Sequence, residues 1–342
     1  MPSVSPAPSR EGLSRIFKQL TTVKISEPKI TVGCDVGSSS VKVVVLGPRK
    51  GLGARPLLHH QLIPLDAGPE ASSSGAVNAL ASALPVRTVN LSVSGQLVVM
   101  RIVELPMLNP DEMRQALPFE AQRYLPFNLQ DVVIDGAVLG PADANKAWVL
   151  IVACKKELVE RRLTWAKEAG LEPALIDVDA LAMVNAFLAG QTGAKLDGTR
   201  ALINVGAHVT NLVMLQRDVP YLVRDIPWGG EKLVQAAAEH SGGESAAIRR
   251  ALSAGPLPPD VQDAVTAASD ALITELQLSF DYFENRFGHP PADVLLSGGL
   301  PQAAGFLEAL KRHLTQTVSG WEPLKGLSGQ FAVAYGLALR TS

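Results

Sequence analysis

The sequence predicts an α/β fold assembled from two related halves, and three observations predict it. Ile30 to Leu46, ITVGCDVGSSSVKVVVL, and Ala201 to Leu215, ALINVGAHVTNLVML, share one pattern of strand, tight polar turn and strand. Val294 to Pro301, VLLSGGLP, is a buried-type strand ending in Gly298-Gly299 and opening into a helix over Gln302 to His313. Asp179 to Leu188 and Gln330 to Leu339 read as helices rich in Ala and Gly, whose small side chains allow close contact at a joint between the halves.

Each repeat has β-branched and apolar flanks, the composition of a pleated strand. Between the flanks stand Asp35-Val36-Gly37-Ser38-Ser39-Ser40 in the first copy and Asn204-Val205-Gly206-Ala207-His208-Val209-Thr210 in the second. Glycine at such a turn opens backbone angles closed to other residues, and successive N–H groups then form a positive concavity suited to phosphate oxygens. Alone, a Gly-Ser-Ser hairpin is an ordinary hairpin. Two facing copies clamp a polyphosphate from both sides, and Asp35, at a strand end, suits Mg²⁺ held through its water shell. At Gly298-Gly299 the backbone has room to approach a flat base or a ribose.

Composition narrows the function. The 342 residues carry 31 Lys plus Arg against 33 Asp plus Glu, which gives no general attraction to nucleic acid or anionic lipid. Cys34 and Cys154 lie far apart and form no CxxC pair, so they read as small core residues. His59 and His60 have no further ligand-like grouping around them, and no metal site is read there. The richest apolar runs, such as Trp148 to Ala153, are strand-sized, and the N-terminal MPSVSPAPSREG lacks the apolar stretch of a secretion signal. Leu13, Ile16, Phe17 and Leu20 fall at helical spacing; the apolar face is short, which favours a short helix packed on the body over a membrane-surface or partner-docking helix. Over Asp270 to Arg286, Ile273, Leu276, Phe280 and Phe283 make an ordinary core stripe.

The order of phosphate turn, small-residue helix, phosphate turn, GG-helix and small-residue helix resembles the actin, Hsp70 and sugar kinase superfamily from Lys29 onward. Within it, GCDVGSSSVKVVVL, VRDIPWGGEKL, LSGGLP and FAVAYGLALR resemble the PilM family of type IV pilus assembly proteins. Arg101 to Phe127, RIVELPMLNPDEMRQALPFEAQRYLPF, is the most specific stretch, combining Leu105-Pro106, Phe119-Glu120-Ala121 and Tyr124-Leu125-Pro126-Phe127 at the family's intervals. Met113, Ala116, Leu117 and Ala121 fall near one helix face there, and Pro126 ends the helix.

The resemblance implies an actin-like ATPase fold of two duplicated RNase H-like halves with an inserted small α/β subdomain. It divides the chain into an N-terminal segment (1–28), a first large subdomain (29–84 plus 160–195), an insertion (85–159), a second large subdomain (199–227 plus 291–342) and a helical cap (228–290). It implies ATP with Mg²⁺ in the cleft. Asp35 maps to the Mg²⁺ carboxylate; Gly37, Ser38, Ser39, Ser40 and Lys42 map to the first phosphate turn. Asn204, Gly206, His208 and Thr210 map to the second, with Gly230 and Glu231 nearby, and Gly298, Gly299, Glu275 and Ser279 map to the adenosine. It also implies that the insertion, in the region of Leu105, Pro106, Phe119, Glu120, Tyr124, Pro126 and Phe127, docks the cytoplasmic N-terminal tail of a membrane protein, PilN. The place expected is cytoplasmic, at the inner face of the cytoplasmic membrane, held there by the partner.

One departure stands out. The second turn of the superfamily generally begins with Asp, and here it begins with Asn204. An amide carries no charge to orient an attacking water, so slow or absent hydrolysis is expected. His208 reads as a donor or a solvated side chain and not as a catalyst. The two rival readings are a small-molecule kinase of the same superfamily and an actin-related cell-division protein. The second is expected to end in an amphipathic tail, whereas this sequence ends at Leu339-Arg340-Thr341-Ser342.

Overall fold

The computed structural model describes residues 30–49, 54–65, 82, 84–191 and 198–341. The helix expected around Leu13 to Leu20 lies outside them. Strands β1 (Thr31–Val36), β2 (Ser40–Leu46) and β3 (Leu57–Pro64) form an antiparallel meander, and β4 (Thr88–Val93) and β8 (Glu172–Val178) add in parallel, giving the order β3-β2-β1-β4-β8. The second sheet repeats this topology strand for strand. Strands β9 (Thr199–Val205), β10 (Thr210–Gln216) and β11 (Val219–Ile226) are the meander, followed by parallel β12 (Asp293–Gly298) and β13 (Thr317–Gly320), in the order β11-β10-β9-β12-β13. The fold class read from the repeat is therefore borne out, as two duplicated RNase H-like halves.

Each half carries an excursion. In the first, β5 (Val98–Pro106), β6 (Val132–Asp143) and β7 (Lys146–Lys155) form an antiparallel sheet in the order β5-β7-β6, with helix α1 (Pro110–Gln122) on one face. Asn109 starts α1 with a capping box. Its side chain accepts from Asp111 N and Glu112 N, while Glu112 returns a carboxylate to Asn109 N at 2.9 Å. Met113, Leu117 and Ala121 turn inward and pack with Leu105, Val149 and Ile151. Helix α2 (Lys156–Glu168) leads back to β8 and is followed by α3 (Asp179–Gly190).

In the second half the excursion is helical: α4 (Gly230–Ser241), α5 (Ser245–Ala254) and α6 (Pro259–Phe287). Leu272, Ile273, Leu276, Phe280 and Phe283 of α6 bury against Ile203, Leu212 and Leu296. Helices α7 (Phe306–His313) and α8 (Ala332–Leu339) complete the chain. No helix among the described residues is long and apolar enough to cross a membrane.

Three local readings differ from the structure. The insertion expected from residue 85 opens later, because Thr88–Val93 pairs in parallel with β1 and β8, a long-range pairing that no local pattern announces. The helix expected from Gln302 starts at Phe306. Leu300–Gln302 is one 3₁₀ turn, and Gly305, at φ +79, breaks the path. The helix read over Asp270 to Arg286 is the second half of a 29-residue helix.

The two halves are locked by exchanged helices. Although α3 follows β8, its Met183 and Phe187 pack with Leu202, Val213 and Leu215 of the second sheet. Helix α8 follows the second half and packs Ala334, Tyr335 and Ala338 with Val44 and Leu46 of the first. Where they cross, a Cβ on Gly336 would lie 2.5 Å from the carbonyl carbon of Ala182; where α8 passes over β1, one on Gly33 would lie 2.5 Å from Ala338 N. Asn90 Nδ2 donates to the carbonyls of Leu337 and Arg340 at 2.8 and 3.0 Å and so closes the end of α8.

Candidate functional site: a cleft between paired turns

The turns at the two meander tips are closed in the same way. Gly37 N donates to Ser40 O at 3.1 Å, and Gly206 N donates to Val209 O at 3.0 Å. They face one another closely enough that Ser38 Oγ and His208 Nδ1 are 2.8 Å apart. Helix α4 is pinned to the second turn, since Gly230 N donates to Gly206 O and Glu231 N to Ala207 O, both at 2.9 Å. Gly298, at φ +99, ends β12 against Val205, and Gly299 beside it has open space where a side chain would stand. The structure thus brings Gly37, Ser38, Gly206, His208, Gly230 and Glu231 together at one cleft, with Ser39 exposed in the first turn.

Asp35 ends β1 behind the first turn and takes an ion pair from Lys42 Nζ at 3.1 Å, because the two are cross-strand partners. Two carboxylates that sequence reading did not single out join it. Asp179, the first residue of α3, accepts hydrogen bonds from Ser92 and Ser94, and the carboxylates of Asp35 and Asp225 act on it. Burial first, and Asp35 next, push its carboxyl up to about 6. Asp225 is raised as well, chiefly by burial, against hydrogen bonds from Asn211 Nδ2 (2.8 Å) and Gly95 N (2.6 Å). Asn204 Nδ2 donates to Asn211 Oδ1 at 2.9 Å, so a polar row runs Asn204, Asn211, Asp225 from the second turn to the start of the insertion. An acidic residue opening a small-residue helix was the available signal for Asp179. Nothing local marks Asp225, whose neighbours come from other strands.

Several residues mapped to the nucleotide are used otherwise. Thr210 is buried, and its hydroxyl donates to Trp228 O at 2.8 Å, which removes it as a phosphate donor. Ser40 is buried at the start of β2. Glu231 is held by the Arg249 guanidinium through two hydrogen bonds, which lower its carboxyl below the usual range. Glu275 and Ser279 do not reach the GG turn. Arg224 on β11 engages them at 2.6 and 2.9 Å, and β11 stands three strand spacings, roughly 14 Å, from β12.

The raised Asp179 carboxyl predicts a pH effect in the nucleotide-free protein. Its folded-state pKa lies above the ordinary 3.8, so the native state holds its proton more tightly than the unfolded chain does. Its contribution is most favourable at low pH and is lost as pH rises from about 4 to about 6. Asp179→Asn is expected to stabilise the protein at pH 8 by roughly 1–3 kcal/mol relative to wild type and to have little effect near pH 4. Urea denaturation of both proteins across that range checks it.

A second feature lies on the face of the small sheet opposite α1. A channel of about 230 Å³ runs between β6–β7 and β8–α3, lined by Leu139, Leu150, Val152, Leu181, Val184 and Leu188 among others. Two buried polar atoms in its wall, Asp177 Oδ2 and Asn185 Nδ2, have no hydrogen-bond partner; Arg340 Nε faces the former at 3.5 Å. None of the residues expected to bind a partner lines it. Leu105 is core; Phe119 is 73% exposed on α1; Glu120 pairs with Arg123 at 2.9 Å; and Lys155 sits over the Phe127 ring at 5.0 Å. Pro106, Tyr124 and Pro126 are exposed near them. That stretch builds and covers the α1 side of the insertion, while the channel is made from the other side.

Comparison with known proteins places this geometry. The family described as type IV pilus assembly protein PilM matches residues 33–342. Among solved structures, the PilM-PilN type IV pilus biogenesis complex is similar with a TM-score of 0.78 and 24% identity, over 91% of this chain and 98% of that one. The ethanolamine utilization protein EutJ from Carboxydothermus hydrogenoformans has a TM-score of 0.54 and 14% identity, over 96% of each chain. A diol dehydratase-reactivating factor in nucleotide-free form has a TM-score of 0.55 and 9% identity, over 91% of this chain and 99% of that one.

Proposed function

The chain belongs to the PilM family of type IV pilus assembly proteins, and from that premise we propose that it is a nucleotide-loaded adaptor, holding Mg·ATP in the cleft and the N-terminal tail of a PilN-type membrane protein in the channel. The observation that carries the reading is the channel itself, an apolar trough between the small sheet and α3. An extended peptide fills such a trough with the apolar side chains of one face. The structural likeness to a PilM-PilN complex agrees with this choice of occupant. Such a partner carries the protein to the inner face of the cytoplasmic membrane.

The cleft residues fit Mg·ATP. Backbone and hydroxyl donors of Gly37, Ser38, Ser39 and Gly206 hold phosphate oxygens, His208 donates from the facing turn, and Lys42 neutralises charge beside them. Asp35 and Asp179 together accept from metal-bound water. Gly298 and Gly299 let the base lie against backbone. Mg²⁺ held there would supply positive charge to the phosphates, with Asp35 and Asp179 holding it through its waters. Asn204 is spent on Asn211, so the second turn has an amide where an ionised group would order water. This chain therefore holds nucleotide and turns it over slowly.

Calorimetric titration with Mg·ATP tests the cleft. Wild type is expected to bind with 1:1 stoichiometry, Asp35→Ala to bind at least about 30-fold more weakly, a loss of ~2 kcal/mol, and phosphate release to stay below one turnover per minute. Equal binding by both proteins would remove Asp35 from the site, and fast release would make the protein an enzyme.

A further inference from the structure

The small sheet has a second free margin. Its order is β5-β7-β6, so β5 is an edge, and β11 is the edge of the second large sheet; the two edges approach one another without pairing into one sheet. Between them and α6 opens a groove of about 530 Å³, more than twice the volume of the channel and sharing no lining residue with it. Leu278 and Tyr282 of α6, 57% and 54% exposed, form its apolar floor.

Arg101 from β5, Arg224 from β11 and Arg286 from α6 line the groove with Asp225, and Glu275 meets Arg224 from α6. Both Asp225 oxygens are already bonded, to Asn211 Nδ2 and Gly95 N. Arg224 is partly neutralised by Glu275, whereas Arg101 and Arg286 make no ion pair among the described residues, Arg286 lying 5.1 Å over the Trp148 ring.

We infer that this groove docks an extended acidic segment of a second partner protein. The strand edges offer backbone donors and acceptors to an extended chain, and the guanidinium groups of Arg101 and Arg286 select carboxylates along it. The occupant is foreign, since the sequence nowhere alternates carboxylates with apolar residues over ten positions. The groove's inner end is formed by Gly95 and Asp225, which continue through Asn211 and Asn204 to the second phosphate turn. The partner therefore sits at the far end of the same polar row as the nucleotide.

The test uses the full chain and a fluorescein-labelled decapeptide of alternating Glu and Val, with a Lys/Val decapeptide and a Glu/Val decapeptide N-methylated at alternate residues as controls, read by anisotropy. Saturable binding of the Glu/Val peptide alone is expected. It should weaken at least tenfold in Arg101→Glu/Arg286→Glu and measurably in the milder Arg101→Gln/Arg286→Gln, and stay unchanged in the channel variant Leu181→Glu. That last arm separates failure of this inference from failure of the channel reading. Equal binding of the Lys/Val or N-methylated peptide, no binding at 1 mM, or binding that survives both double variants would overturn it. Self-association of the chain that the charge reversals abolish, without peptide capture, would also overturn it in favour of a contact between copies.

Discussion

Gly336→Leu is expected to lower the melting temperature by about 5–10 °C, corresponding to at least ~3 kcal/mol, and to weaken Mg·ATP binding with it. The reason is geometric. At the crossing of α8 and α3 even a Cβ on Gly336 would stand 2.5 Å from the carbonyl carbon of Ala182 and 3.1 Å from its Cα. Those atoms are backbone and cannot turn away as a side chain would, so the helices must part. Because α3 packs on the second sheet and α8 on the first, parting them shifts the halves against each other. The facing turns, tied by Ser38 and His208, move with them. Scanning calorimetry with and without Mg·ATP measures both effects. A melting temperature within 1 °C of wild type would show that the crossing is not the joint described above.

The second large effect concerns the channel. Leu181→Glu is expected to cost roughly 2 kcal/mol of peptide binding, about 30-fold, with the melting temperature and Mg·ATP affinity unchanged. Leu181 is only partly buried and lines the channel from α3, so a carboxylate there remains solvated in the empty protein. A docking apolar side chain then meets a charge it must strip of water. Unchanged binding in Leu181→Glu would place the partner elsewhere on the insertion, with the exposed Phe119 and Tyr124 of the α1 side as the next surface to vary.

What the sequence reveals and what it hides follow from how far each signal reaches. The two meanders are visible because a glycine, a polar strand end and β-branched flanks recur within fifteen or so residues, and local chemistry dictates local structure there. Gly336 sits in a small-residue run that suggests close helix contact, and the structure supplies its partner, Ala182; the fit of Gly33 against Ala338 shows only in the fold. The channel is not legible in this way. Its walls come from β6, β7 and α3, and the carboxylate Asp177 becomes unusual only because tertiary packing buries it, raising its carboxyl above the ordinary range. Thr210 shows the converse. Its place in the turn suggests a phosphate donor, but as the first residue of β10 it points into the protein and spends its hydroxyl on Trp228. Glu275 and Ser279, expected at the adenosine, lie inside a helix of 29 residues and turn to Arg224 on β11.

The adaptor reading rests most directly on peptide capture. A fluorescein-labelled N-terminal peptide of a PilN-type protein should be titrated by anisotropy with the full chain, with and without saturating Mg·ATP, beside Leu181→Glu. The account predicts saturable 1:1 binding by wild type, an affinity that changes with Mg·ATP, and loss in the variant. No saturable binding in either nucleotide state, or equal binding by wild type and Leu181→Glu, would contradict it.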